Sequence, residues 1–439
     1  MPISYQLVCQ AFQFAANSGI RCALVARHAS LRFKADFRDI DIIVAPEDLS
    51  ALSVLLIKQA ENAGFRLINV IQNDYSEQLY FQGKHGILHL DLMPRLTYRG
   101  IDFLELPLQD HQVQEIDGML VVSKPWLVAY SVLRSLLWQG KLDERYNEML
   151  DELLVSPDKN AVLGDSLAAA VGHRAAMQIL EDIRDPGGIA TRSRFIRKAF
   201  VWHQLRRRPL QVIAGFVRHA YLLAKRFVHY PGLMVVLLGR GGRENAEVLD
   251  GLEAALAEYG TVRPDLASSA WTRSGAMQLT DPAIDSQRNP SSYLPTSVAR
   301  LHCLFGNSSL GFVKRLWKQL EENRIVLLDR SYYDIFIDFL WCRYSGPHWL
   351  ARCLVFVTPQ PDLWVLLDAP HEVTCTREEQ IQENETVRRL EASRSFVSLT
   401  KHHAIIDAAQ STNRVVADVH TAIIDTLAQR TNSRFKNRL

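Results

Sequence analysis

Phe37-Arg38-Asp39-Ile40-Asp41-Ile42-Ile43-Val44 reads as a strand whose two faces differ. Side chains alternate across a strand, so Ile40, Ile42 and Val44 point one way while Asp39 and Asp41 share the other side. Such a strand belongs to a sheet with one face on a core and carboxylates on the other. Outward from it, the apolar period of Leu7, Ala11 and Phe14 predicts an opening helix. Strands are expected over 21–26, 65–70, 78–81 and 87–92, with Gly83-Lys84-His85-Gly86 as a hairpin turn. A helix is expected over 46–63, with Pro46 in its first turn and Glu47 and Asp48 near the positive end of its dipole. Residues 1–120 therefore read as a mixed-sheet α+β domain.

Adjacent carboxylates repel unless a cation lies between them. Hard oxygen donors suit Mg²⁺, which takes one or two carboxylates together with substrate phosphate oxygens. A third carboxylate, Asp91 in His89-Leu90-Asp91-Leu92, sits on a later strand and could complete a two-metal site. The competing reading is a solvated strand end with Asp39 paired to Arg38. Upstream, Leu24-Val25-Ala26-Arg27-His28-Ala29-Ser30 runs from a strand into a turn of small residues, where backbone N–H groups could approach a triphosphate. Arg32, Lys34 and Arg38 could bind phosphate or form a solvated basic loop.

Ser30, Asp39, Asp41 and Asp91 fall in an order and spacing that resemble the polymerase-beta-like nucleotidyltransferase superfamily. That resemblance implies Asp39, Asp41 and Asp91 as catalytic metal ligands, Ser30 and Arg38 as nucleotide contacts, Mg²⁺ as cofactor and a nucleoside triphosphate as substrate. The chain departs from the family at the phosphate-binding turn, where Arg27-His28-Ala29-Ser30 has no glycine.

Residues 232–430 alternate continuous apolar strands (233–238, 325–328, 363–367, 404–407) with helices (244–259, 312–322, 411–429). This is the pattern of a parallel sheet covered on both faces, so the whole chain reads as two-domain α/β. Met234 to Leu238 runs into Gly239-Arg240-Gly241-Gly242-Arg243-Glu244-Asn245-Ala246, the strand–turn–helix setting of a P-loop. The lysine and hydroxyl positions of that motif are Asn245 and Ala246, and Glu244 brings a negative charge to the helix start. Asp329-Arg330 follows a strand, and Thr376-Arg377-Glu378-Glu379 opens a charged segment. This ordered set resembles thymidylate kinase, with a degraded phosphate loop. The resemblance implies an acceptor or partner site at Gly239, Gly242, Asp329, Arg330 and, in the lid, Arg377. A structural role for Asp329 and Arg330 in neighbouring ion pairs is the alternative.

Between these zones, residues 121–231 read as helical (124–139 and 143–154), broken at Pro186-Gly187-Gly188. From Pro186 to Arg243 there is no Asp or Glu, whereas arginines, lysines and bulky aromatics interleave. Region 192–230 is open to three readings: a linker whose aromatics pack between domains, an anionic membrane surface contact, or a site for nucleic acid or polysaccharide phosphates and carboxylates. Residues 431–439 are expected to fray.

The chain has 439 residues, about two to three domains' worth. Its formal charge of +2 gives no global argument for a polyanion partner. The six cysteines (Cys9, Cys22, Cys303, Cys342, Cys353, Cys375) contain no C-x-x-C pair, which favours a reduced setting over a disulfide framework or zinc site. His85, His89, His402 and His403 show no metal-ligand spacing. With neither a signal peptide nor an 18-residue apolar run, a cytoplasmic location is expected, with peripheral contact at the inner membrane face as one option. The order of zones resembles two-domain proteins of bacterial surface-polysaccharide gene clusters, which implies polysaccharide-assembly proteins as partners. Three functions remain in view: Mg²⁺-dependent nucleotidyl transfer to a hydroxyl or phosphate acceptor, thymidylate-kinase-like phosphoryl transfer, and a non-catalytic scaffold at the membrane face.

Overall fold

The structure is a computed structural model; it describes residues 3–25, 39–84, 86–109, 112–140, 157–184, 186–239, 243–263, 316–329, 333–337, 348–355, 358–368 and 380–435. The chain divides into two compact units, Met1–Lys225 with Arg434–Leu439, and Arg226–Ser433. Both are α/β: the first is built on a mixed sheet, the second on a parallel one.

The first unit opens with α1 (Ile3–Asn17), β1 (Cys22–Leu24) and β2 (Asp39–Val44). Then come α2 (Leu49–Asn62), β3 (Arg66–Gln72), β4 (Glu77–Gly83) and β5 (Gly86–Met93). A two-residue hairpin follows, β6 (Thr97–Tyr98) and β7 (Ile101–Asp102), and then β8 (Val113–Ile116) and β9 (Met119–Val122). The main sheet runs β3-β4-β5-β2-β1-β9-β8. β2 lies parallel to β5 and antiparallel to β1. α2 begins three residues later than its proline suggests: Pro46 lies in the turn before it, and Asp48 precedes its first residue without a side-chain capping hydrogen bond.

The alternation in β2 sorts the two faces. Ile40, Ile42 and Val44 join Leu88, Leu90 and Leu92 of β5 under Leu7, Ala11, Leu52 and Leu56 of α1 and α2. Each such buried aliphatic contributes about 1.5–3 kcal/mol, which fixes the register, since a one-residue slip would turn both aspartates into this apolar core. On the opposite face Ala23, Ile43 and Met93 meet a second core. This core is supplied by α3 (Lys124–Arg134), which continues as a π-helical turn (Ser135–Gln139), and by α4 (Pro157–Val171), α5 (His173–Arg184), α6 (Pro186–Arg207) and α7 (Pro209–Val228). The helices after the sheet thus share its core; fully buried Phe200 of α6 is one of the largest side chains there. Proline at the first position of α6 and of α7 suits a helix start, where its missing N–H costs nothing. The break at Pro186 separates α5 from α6, but Gly187 and Gly188 lie within the new helix. The helix expected over 143–154 lies outside the described residues.

The second unit contains β10 (Leu233–Leu238), α8 (Arg243–Ala255), α9 (Trp317–Glu321), β11 (Ile325–Leu328), α10 (Asp334–Ile337) and α11 (His348–Val355). It closes with β12 (Leu363–Asp368), α12 (Gln380–Ser398), β13 (His403–Asp407) and α13 (Thr412–Phe435). All pairings in the order β11-β10-β12-β13 are parallel. The continuous apolar runs are buried throughout in β10 and β11, as a sheet covered on both faces requires. α13 runs on to Phe435 with Thr431 buried. Among the described residues no helix is long and apolar enough to cross a membrane.

Candidate functional site

The sheet's second face carries a polar patch beside its core. Register places Asp41 directly opposite Asp91, and Asp39 opposite His89, on the parallel pair β2/β5. On the other side of β5, antiparallel β4 sets Gln78 opposite Asp91 and Tyr80 opposite His89. Six polar side chains from three adjacent strands therefore share one face. Further along the same strands Ile43 and Met93 are sealed by α3, which brings Arg134 near the acids.

The two central acids are unequal to Asp39. Asp91 is buried; Gln78 donates to its Oδ2 at 3.3 Å, and its Oδ1 is buried with no hydrogen-bond partner. Burial pushes the Asp91 carboxyl up, against hydrogen bonding from Ser76, the charge of His89, hydrogen bonding from Gln78 and the Arg134 guanidinium. Asp41 is pushed up to about 7, by burial first and then by Asp91 and Asp39, with Arg134 and His89 opposing. Asp39 lies at the exposed strand end, its Oδ1 2.7 Å from Nδ1 of His89. The His89 ring stacks on Tyr80 at 4.3 Å between centroids, which holds the imidazole against the sheet.

Two carboxylates in register on adjacent strands, one of them buried with an oxygen that lacks a hydrogen-bond partner, form a donor set that a hard dication would satisfy. Asp41 and Asp91 fit that role. Asp39 is turned toward His89, and among the described residues no three His, Cys, Asp or Glu side chains close into a ligand cage. Of the residues singled out in the sequence, Asp39, Asp41 and Asp91 are brought to one face, while Ser30 and Arg38 lie outside the described residues. His89, Gln78 and Tyr80 complete the patch. The two-residue period of β4 and β5 carried that information once their pairing was known. Nothing in the sequence tied Arg134, on a helix, to these strands.

In the second unit Gly239 follows β10 and Asp329 follows β11, so both stand at the carboxyl end of the parallel sheet. The connection from β10 runs to β11 on one side and that from β12 runs to β13 on the other, so the adjacent ends of β10 and β12 mark the place where open α/β sheets form a crevice. Gly239 is packed closely: a Cβ there would meet Asn245 Oδ1 at 3.0 Å and Leu367 Cβ at 3.2 Å. Asp368, at the end of β12, is held by a forked contact from Arg394, with Nη2 at 2.6 Å and Nε at 3.1 Å. Gly242, Arg330 and Arg377 lie outside the described residues.

Neither a protein-family model nor a curated protein matches the chain. Among solved structures, a thymidylate kinase from Ehrlichia chaffeensis is similar at 15% identity and a TM-score of 0.31, over 45% of this chain and 100% of that one. A likeness that slight carries no argument about fold or chemistry.

Proposed function

We propose that the first unit is a Mg²⁺-dependent nucleotidyltransferase that moves a nucleoside monophosphate from a nucleoside triphosphate to a hydroxyl or phosphate acceptor. The observation that carries this reading is the in-register Asp41–Asp91 pair on adjacent parallel strands, with Asp39 two residues away on the same face. In the reaction an acceptor oxygen bonds to the α-phosphorus, the α–β phosphoanhydride bond breaks, and pyrophosphate leaves with that bond's electron pair.

Asp41 and Asp91 would hold the cation, which when bound supplies charge compensation for the triphosphate and for the oxygens being attacked and expelled. Gln78 fixes Oδ2 of Asp91 and so sets the direction of the remaining lone pairs. His89, clamped between Tyr80 and Asp39, holds Asp39 at the mouth of the patch, where an acceptor proton can be taken. Arg134 keeps the acids from accumulating uncompensated charge before substrate arrives.

The test is paired labelling with Mg²⁺ and nucleoside triphosphates labelled at the α- or the γ-phosphate, using a cell extract as acceptor source. Transfer from the α-position, lost in Asp41→Asn and in Asp91→Asn while the fold persists, is expected. Transfer from the γ-position alone would move the chemistry to the parallel-sheet unit. Full α-transfer by Asp41→Asn would refute the assignment.

A further inference from the structure

A second surface of the first unit, formed by α6, α7 and the β6/β7 hairpin, has its own chemistry. α7 is seated by one narrow side: Val212 is in the core, Gly215 lies against the backbone of Gly100, and His219 Nδ1 is 2.9 Å from Asp74 Oδ2. These positions are spaced i, i+3, i+7, which is one helix face. On the opposite face Leu210, Ile213, Val217 and Tyr221 repeat at i, i+3, i+7, i+11 and are 80%, 56%, 65% and 65% exposed. α7 therefore carries two apolar stripes, and the outer one is exposed. Trp202 of α6, which shares a cavity with Phe216 of α7, is a further large aromatic, 60% exposed, with the Arg206 guanidinium 5.3 Å from its ring.

Phe216 of α7, the chain neighbour of Val217, lines a cavity of about 510 Å³. Arg99, Arg197 and Lys198 supply its charge, and Tyr98, Trp202 and Phe216 its aromatic walls; no carboxylate lies among its described walls. Arg99 reaches it from the tip of the β6/β7 hairpin, where Arg99 and Gly100 both have positive φ (51° and 83°). That turn type suits a two-residue hairpin, and the close backbone approach of Gly100 to Gly215 fixes the tip against α7. Beneath it Trp138 packs edge-on to Tyr98 at 4.9 Å and accepts a hydrogen bond from Arg197 through its carbonyl at 3.0 Å. Three acids near this surface are paired: Asp74 with His219, Asp102 with Arg95, and Glu105 with Arg208.

We propose that this face lies on an anionic lipid surface, the outer stripe of α7 and Trp202 entering the headgroup–acyl boundary while the cavity's cations take a lipid phosphate. The charge decides the occupant. From Pro186 to Arg243 the chain has nine Lys and Arg in its two helices, a tenth cation (Arg208) between them, and no acid anywhere. A second copy bringing the same face would set cations against cations, whereas anionic headgroups complement them. The inference is independent of the carboxylate site.

The full chain is sedimented with vesicles of phosphatidylcholine alone and of phosphatidylcholine mixed with phosphatidylglycerol. Partition onto the mixed vesicles should be at least about tenfold stronger and should fall as salt is added. Ile213→Ser/Val217→Ser should weaken it by on the order of tenfold or more, and Arg197→Gln/Lys198→Gln should flatten the salt dependence. Ile213, Val217 and Lys198 are exposed, so an unchanged melting curve is the control for folding. Equal partition onto both vesicle types, or undiminished partition by Ile213→Ser/Val217→Ser, would overturn the proposal. So would a concentration-dependent dimer abolished by those substitutions, or binding of free glycerol phosphate, in a chain that ignores vesicles.

Discussion

Asp41→Asn should stabilise the protein at alkaline pH in the absence of divalent cations. In the folded chain this carboxyl is raised from 3.8 to about 7, by burial and then by Asp91 and Asp39. An acid whose folded pKa lies above its unfolded one contributes stability only while protonated. That contribution is complete below the unfolded pKa and disappears as pH rises through the folded one. A rise of this size corresponds to about 4 kcal/mol at most. Asp41 and Asp91 titrate as a pair and share the penalty, so about 2 kcal/mol is the expected gain from neutralising one member. For a unit of this size that is roughly 4–8 °C in Tm. Melting in a chelator should therefore show wild type and variant nearly equal near pH 4, with the gap opening through about pH 7 and flat above it. Mg²⁺ should narrow the gap by stabilising the wild type more. A variant that melts lower than wild type at about pH 8, or gains as much at pH 4 as at pH 8, would refute the reasoning: the pair would then not be held under mutual repulsion.

Gly215→Ala should loosen α7, because its Cβ would run into the Gly100 carbonyl; faster amide exchange across α7 with the sheet still protected is the expected readout. Arg430→Ala should cost about 2–3 kcal/mol, since this guanidinium bonds the Pro231 and Gly232 carbonyls and Asp362, which itself accepts the Met234 N–H. Arg394→Ala, which breaks a half-exposed pair with Asp368, should cost no more than about 1 kcal/mol, and urea titration of the two variants compares them directly. Phe200→Ala should remove about 3–5 kcal/mol by opening a cavity in the core that the helices share with the sheet, read as a drop in the denaturant midpoint.

What was legible in the sequence followed from period and punctuation. The alternation of Asp39 to Val44 gave the strand, both faces and the shared side of the acids, and the parallel β2/β5 register turns that adjacency into a direct Asp41–Asp91 opposition. The unbroken apolar runs of β10 and β11 gave a parallel sheet for the same reason: no polar residue marks a solvent face. The hairpin β8/β9 was just as legible but fell across the boundary drawn at residue 120. Asp117-Gly118, both at positive φ, is a strong short-range hairpin signal, and β9 then joins β1 inside the sheet. What local spacing cannot encode is contact between elements far apart in the chain. Arg134 reaches the acids because α3 packs on Ile43 and Met93. Gly100 and Gly215 meet because neither has a side chain, though each alone reads as an ordinary turn or helix glycine. The basic stretch shows the limit most clearly. Its composition fits a linker, a lipid surface and a polyanion site equally, and only the docking of Val212, Gly215 and His219 singles out which apolar stripe remains outside.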